Sequence, residues 1–275
     1  MKLVLSRKGF DSSAGCVPSP ILPDGTLLSL PIPDESQTSK IRYEDINVKG
    51  KSIGKIVEDL TKKRITRRDF AHLDPDLRPS SYPRLPNWRP LFGQTDQAQT
   101  HLKNEGVTIG DLFLFFGWFR KVEFLDGKYR FVRKTPDLHV IYGWLQIGTI
   151  LSVEKNSYVP PWAKYHHHFH PPPNWRNNAV YVSSENLTLN SQEKIGGAGA
   201  FEKYRDELCL TCTNQANRSL WKLPKWFYPS NNLPPLSYHL SKSRWKLNGN
   251  HATLRTVGRG QEFVLDADKY PEAIT

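Results

Sequence analysis

Gly110-Asp111-Leu112-Phe113-Leu114-Phe115-Phe116-Gly117-Trp118-Phe119 is the stretch from which the fold is read. Bounded by glycines and filled with apolar and aromatic side chains, it has the composition of a β-strand. Its surroundings repeat the signal. Residues 128–133 alternate, and 139–153 form a long β-branched and aromatic run. Between two of these runs lies Asp126-Gly127, a dipeptide suited to a two-residue hairpin turn. Ala179-Val180-Tyr181-Val182 supplies a further strand. Strands spaced this closely suggest a sheet curling toward a small barrel over about 105–190. Strand patterns also stand at the beginning, Lys2-Leu3-Val4-Leu5-Ser6, and near the end, Arg259 to Asp266. The expectation is an α+β chain, mainly antiparallel or mixed β-sheet, with long aromatic and proline-rich loops over it. Residues 1–275 are read as a single domain.

Helices are few. Ile53, Ile56, Val57 and Leu60 recur at helical spacing, with Ser52 placed to cap the start. Residues 96–104, with Gly106 beyond, form a second short helix. A third is expected over 202–208, after Gly196-Gly197-Ala198-Gly199. Residues 74–93 are rich in proline and read as an extended segment that packs Tyr82, Trp88 and Phe92. Lys62, Lys63, Arg64, Arg67 and Arg68 form a basic cluster suited either to phosphate contact or to a solvated helix end.

The chain of 275 residues carries a net charge of +11. A basic balance favours phosphate-bearing partners. Three cysteines, Cys16, Cys209 and Cys212, give no disulfide framework. Cys209 and Cys212 have knuckle spacing without the second pair that a zinc knuckle needs. No apolar run approaches the ~18 residues of a membrane span, and Met1 leads into a charged strand end. The expectation is a cytoplasmic protein with no membrane partner.

Polar chemistry concentrates where the first strand ends. Arg7, Lys8, Asp11 and Ser12 follow it directly, and Asp24 sits in the turn Pro23-Asp24-Gly25-Thr26. Arg7 and Lys8 suit phosphate, and Asp11 suits acid–base or metal work. His166, His168 and His170 share one face of an extended chain and are the candidate ligands of a divalent metal. His168 is equally a candidate catalytic base. Gly197 and Gly199, before the expected helix, offer backbone N–H groups to an anion. In the last strand, Arg259 and Gln261 suit phosphate and a base edge. Glu262 suits a general base, a metal ligand or an acceptor for an exocyclic amine.

Ser6-Arg7-Lys8-Gly9-Phe10-Asp11-Ser12, Pro18-Ser19-Pro20-Ile21 and Pro23-Asp24-Gly25 together resemble the N-terminal signature of the third group of nucleotide modification associated domain proteins. Gly143-Trp144-Leu145, the histidine run near 166–170, Asn177-Asn178, Gly197-Ala198-Gly199 with Phe201, Leu223-Pro224 and Arg259-Gly260-Gln261-Glu262-Phe263-Val264 extend the resemblance over nearly the whole chain. It implies a nucleotide or nucleic-acid partner, DNA first, and does not specify a reaction. More loosely, the strands at 110–117 and 139–148 resemble the barrel of the PUA-like superfamily, some members of which hold a single base in an aromatic pocket. Three functions follow. The first is base handling in DNA modification, with Asp11, Glu262 and His168 as catalytic groups. The second is a non-catalytic module that recognises a modified base. The third is a metal-dependent hydrolase of nucleic acid.

Overall fold

The computed structural model describes residues 1–36, 38–154, 157–189, 194–212, 217–230, 233–258, 260 and 262–273. In chain order the strands are β1 (Lys2–Arg7), β2 (Ser19–Ile21), β3 (Asn47–Val48), β4 (Lys51–Ser52), β5 (Leu91–Gln94), β6 (Leu112–Leu125) and β7 (Lys128–Phe131). They continue as β8 (Leu138–Ser152), β9 (Ala179–Ser183), β10 (Ala198–Ala200), β11 (Leu220–Pro224), β12 (Trp245–Asn248), β13 (His251–Arg255) and β14 (Glu262–Asp266). The helices are α1 (Ile53–Leu60) and α2 (Asp96–Asn104).

The aromatic stretch at 112–119 forms the first half of β6, around which the main sheet is built. Its order is β14-β1-β6-β8-β9-β5, with β2 and β7 also against β6 and β10 against β8. β1 runs parallel to β6, from Leu3↔Leu112 to Arg7↔Phe116. β14 runs antiparallel to β1, pairing Ser6 with Glu262. The sheet is therefore mixed, and the chain is α+β. Asp126 and Gly127 join β6 to β7 with φ of 50° and 73°, the positive pair that a tight hairpin turn of this twist needs.

Alternation of period two between two cores explains why residues 112–116 of β6 are all apolar. Leu112 and Phe116 enter one core, while Phe113, Phe115 and Phe119 enter another. The first core is closed by the sheet β11-β13-β12 through Trp221, Leu223, Trp245 and Leu254. The second receives Leu102 from α2, with Phe92 and Tyr181. Phe92 meets Phe113 and Phe115 edge-on, each at 5.1 Å between centroids. Removing one such ring by substitution to alanine costs about 3–5 kcal/mol. A third core packs α1 against Phe10, Tyr43 and Val122.

Three expectations are corrected. Among the described residues no closed barrel forms over 105–190, because β6, β8 and β9 belong to an open sheet whose end strands, β14 and β5, do not pair with each other. The helix at 202–208 is only a single 3₁₀ turn, Asp206–Leu208. Ala198–Ala200 instead pairs as a strand with β8, and the extended chain then meets Thr26 at Lys203. Ser52 occupies the N-cap of α1, but its side chain makes no capping hydrogen bond. No helix of the described chain is long and apolar enough to cross a membrane.

Candidate functional site

β1 delivers its last residues to the edge of the second core. Alternation puts Ser6 and Lys8 on the same side as Val4, and Lys8 extends the strand by donating its N–H to Phe116 at 2.9 Å. Opposite Ser6 stands Glu262, the first residue of β14, only 1% exposed. The Lys8 ammonium lies 2.9 Å from Glu262 Oε1 and 4.7 Å above the centre of the Phe92 ring. Gln94, at the end of β5, donates to the same Oε1 at 2.5 Å. Glu262 Oε2 and Ser6 Oγ are buried with no partner among the described residues. A buried carboxylate oxygen left unmatched is costly, so a donor brought to this corner would be bound favourably.

Two clefts adjoin here and share Gln94 and Thr95. One encloses ≈ 910 Å³ out to open solvent, and Arg7, Lys8, Asp11, Asp74, His167 and His168 are among its lining residues. The other encloses ≈ 1590 Å³ and is lined by Glu262 with Asp96, Arg176 and Tyr238.

Arg7 lines the first cleft. It donates to the carbonyls of Gly258 at 3.1 Å and Gly260 at 2.7 Å. Burial lowers the affinity of its guanidinium for the proton, and the carboxylates of Asp11 and Glu262 oppose that effect. Asp11 serves the turn it begins: its Oδ1 accepts from Ser13 N at 2.7 Å, Ser13 Oγ at 2.8 Å and Ala14 N at 2.7 Å. Ser12, exposed, contributes its carbonyl to Cys16 Sγ.

His168 is held more tightly than any other histidine of the 166–170 run. Asn178 Nδ2 donates to the His168 carbonyl at 2.7 Å. Its Oδ1 therefore faces His168 Nδ1, 2.6 Å away, and accepts the proton there. In the neutral ring the free lone pair then belongs to Nε2, which lies 3.6 Å from Asp74 Oδ2. The ring lies flat over Gly93, where a built Cβ would fall 2.1 Å from His168 Cδ2. Gly93 N–H holds Asp74 Oδ1 at 3.0 Å. On the other side of Asp74, His166 Nε2 is 3.5 Å from Oδ1, and neither nitrogen of that buried ring has a hydrogen-bond partner among the described residues. His167 stacks on His72 with centroids 3.8 Å apart.

Electrostatics favour an ionised Asp74 and a neutral His167. Burial works to raise the Asp74 carboxyl, but the facing His166 and His168 outweigh it and hold it well below the usual carboxylate range. Burial pushes His167 well below the ordinary imidazole range, and the charges of His168, His166 and His72 act the same way. Half-buried Trp175 lies 4.8 Å from the His168 ring and lines the same cleft, offering a face on which a base can stack.

The expected ligand set is corrected. His170 turns away, its Nε2 2.7 Å from the Lys164 carbonyl. The run is not extended; His167–Phe169 forms a 3₁₀ turn, which groups His167 and His168 with Asp74. Gly197 and Gly199 are not an anion cradle. With no helix behind them, Gly197 N–H is spent on the Glu185 carbonyl at 3.1 Å. Added Cβ atoms would strike Ser184 O at 2.1 Å and the Trp144 ring at 2.6 Å, so both glycines serve close packing. Asp24 caps its own turn through Thr26 N at 3.0 Å and lines neither cleft. Arg259 and Gln261 lie outside the described residues. Sequence reasoning missed Gln94 and Asp74; the signal for Asp74 was His72-Leu73-Asp74-Pro75-Asp76, an alternation of ligand-type side chains inside a segment read only for its prolines.

Residues 2–266 match the model of a family described as nucleotide modification associated domain 3. No curated protein and no solved structure was found to match.

Proposed function

The chain belongs to the nucleotide modification associated domain 3 family, and from that premise we propose that its paired clefts bind a nucleotide, free or within DNA, for modification of its base. Glu262 carries the proposal, because its Oε2 is buried without a partner among the described residues, beside Gln94, which lines both clefts. A carboxylate so placed accepts from an exocyclic amine or from a base N–H. It is also placed to act as the general base on that group. Lys8 and Gln94 fix its other oxygen, so the acceptor is oriented before the ligand arrives. Among the described residues Arg7 uses its guanidinium for two carbonyl bonds, of the five donors it carries, and it suits a phosphate. Trp175 supplies the stacking face.

The test is equilibrium binding of a panel of nucleoside monophosphates and short single strands to the wild-type chain and to Glu262→Gln. The amide keeps the shape and reverses one acceptor to a donor. Weakened binding confined to bases that carry an exocyclic amine, with thymine-type ligands, which lack one, least affected, supports the assignment. Equal affinity of both proteins for every ligand removes Glu262 from the site.

A further inference from the structure

We propose that Asp74, His167 and His168 hold one divalent transition-metal ion on the floor of the first cleft. The inference rests on reading that cleft as the working site. One ligand atom from each of the three residues lies within 4.8 Å of the others. The contacts of Asp74 to His166 and His168, 3.5 and 3.6 Å, are too long for good hydrogen bonds. The Asp74–His168 contact is close to the separation of roughly 3.4 Å expected between two ligands each about 2.1 Å from a tetrahedral ion.

The surroundings are those of a metal site. The hydrogen bond from His168 Nδ1 to Asn178 Oδ1 fixes the tautomer that leaves Nε2 free, the usual arrangement behind a ligating imidazole. Gly93 removes the Cβ that would evict the ring, and its N–H orients the Asp74 carboxylate. His166, 1% exposed with neither nitrogen hydrogen-bonded among the described residues, adds a further imidazole beside Asp74. Two imidazoles and one carboxylate suit zinc, iron, manganese or cobalt. They do not suit magnesium or calcium, which take oxygen ligands. Three protein ligands leave coordination positions open to water or a substrate oxygen, in a cleft that Arg7 and Lys8 also line.

The full chain, stripped by a chelator, is titrated with Zn²⁺, Co²⁺ and Mg²⁺ by calorimetry, and the Co²⁺ form is examined by visible absorption. One Zn²⁺ or Co²⁺ per chain is expected, with no Mg²⁺ bound at the same concentration. Asp74→Asn and His168→Ala should weaken Zn²⁺ binding by about 100-fold or more, and Asn178→Ala by about 10–100-fold. His170→Ala and Cys209→Ser should leave it unchanged. Circular dichroism establishes that each variant is folded. Should the ligand variants unfold, the wild-type Co²⁺ spectrum decides: a thiolate charge-transfer band would assign the ion to cysteine and overturn the proposal. Absence of Zn²⁺ and Co²⁺ binding overturns it too, as do folded ligand variants that bind like wild type. Nucleotide binding is measured on the metal-free chain in parallel. Its retention without metal binding leaves the function above standing, and its loss beside intact metal binding leaves the metal site standing.

Discussion

The Lys8 ammonium and the Glu262 carboxylate meet at 2.9 Å across the joint between the first and last strands. Both are largely withdrawn from water, with side-chain exposures of 11% and 0%. Removing one partner from such a pair typically costs 3–5 kcal/mol, because the other charge is stranded. Lys8→Ala is therefore expected to lower unfolding stability by about 3 kcal/mol, read from the urea midpoint at unchanged slope. The double variant Lys8→Met, Glu262→Leu should regain most of that loss while abolishing nucleotide binding. A single variant as stable as wild type would show that the pair contributes nothing to the fold.

Stability should fall steeply in mild acid. His139 accepts from Trp221 Nε1 at 2.9 Å through Nδ1, and burial lowers it to about 3 from 6.5. His239 accepts from Val257 N–H at 3.2 Å through Nε2, with Nδ1 2.8 Å from the Ser237 carbonyl; burial lowers it to about 4. Both rings are thus neutral in the fold. The unfolded chain binds their protons below pH 6.5 and the folded chain does not, so stability drops as pH falls from 6.5 toward those values. Each ring contributes about 1.4 kcal/mol per pH unit in that window. His139→Asn, whose Oδ1 replaces Nδ1 as acceptor, should reduce the slope by about one proton. Chemical denaturation at pH 7, 6 and 5 measures it, and an unchanged slope would mean that His139 is protonated in the fold.

Asp11 is expected to matter for the turn before it matters for chemistry. Asp11→Ala removes the acceptor of three hydrogen bonds and should cost about 1–2 kcal/mol, as loss of a helix-capping acceptor does. Asp11→Asn keeps an oxygen in place and should cost a few tenths. Paired melting curves separate these outcomes. If Asp11→Asn abolishes activity at an unchanged melting temperature, Asp11 takes part in the chemistry itself.

Binding to oligonucleotides should weaken with salt. A net charge of +11 predicts a linear fall of log K against log [salt], with a slope near −0.7 per phosphate neutralised for a single strand. Titrating a labelled oligonucleotide at several salt concentrations measures it. A flat line would exclude a polyanion and leave the mononucleotide as ligand.

What sequence made legible was local. The spacing of Ile53, Ile56, Val57 and Leu60 specified α1 because one buried stripe is enough to define a helix. Asp126-Gly127 specified a turn by backbone conformation alone. The helix after Gly199 failed because β8 offers the Gly-rich segment a strand partner, and pairing overrides local preference. The histidines were visible but their company was not. Asp74 reaches His168 only because β5, which follows it in the chain, pairs with β9, beside Asn178. Gln94 carried no motif at all and acquires its role from ending that same strand next to Glu262.

The joining of β1 to β14 also dictates when the site can exist. Arg7 and Gly260 are 253 residues apart in the chain, so nothing made early in translation can complete the corner around Lys8. Until β14 arrives, β1 presents one bare edge to the cell, and a bare edge invites pairing with another chain. A nascent chain halted before Glu262 is therefore expected in the pellet rather than the supernatant after lysis. Chaperone demand, not catalysis, would then be the first phenotype of a lesion in the final strand.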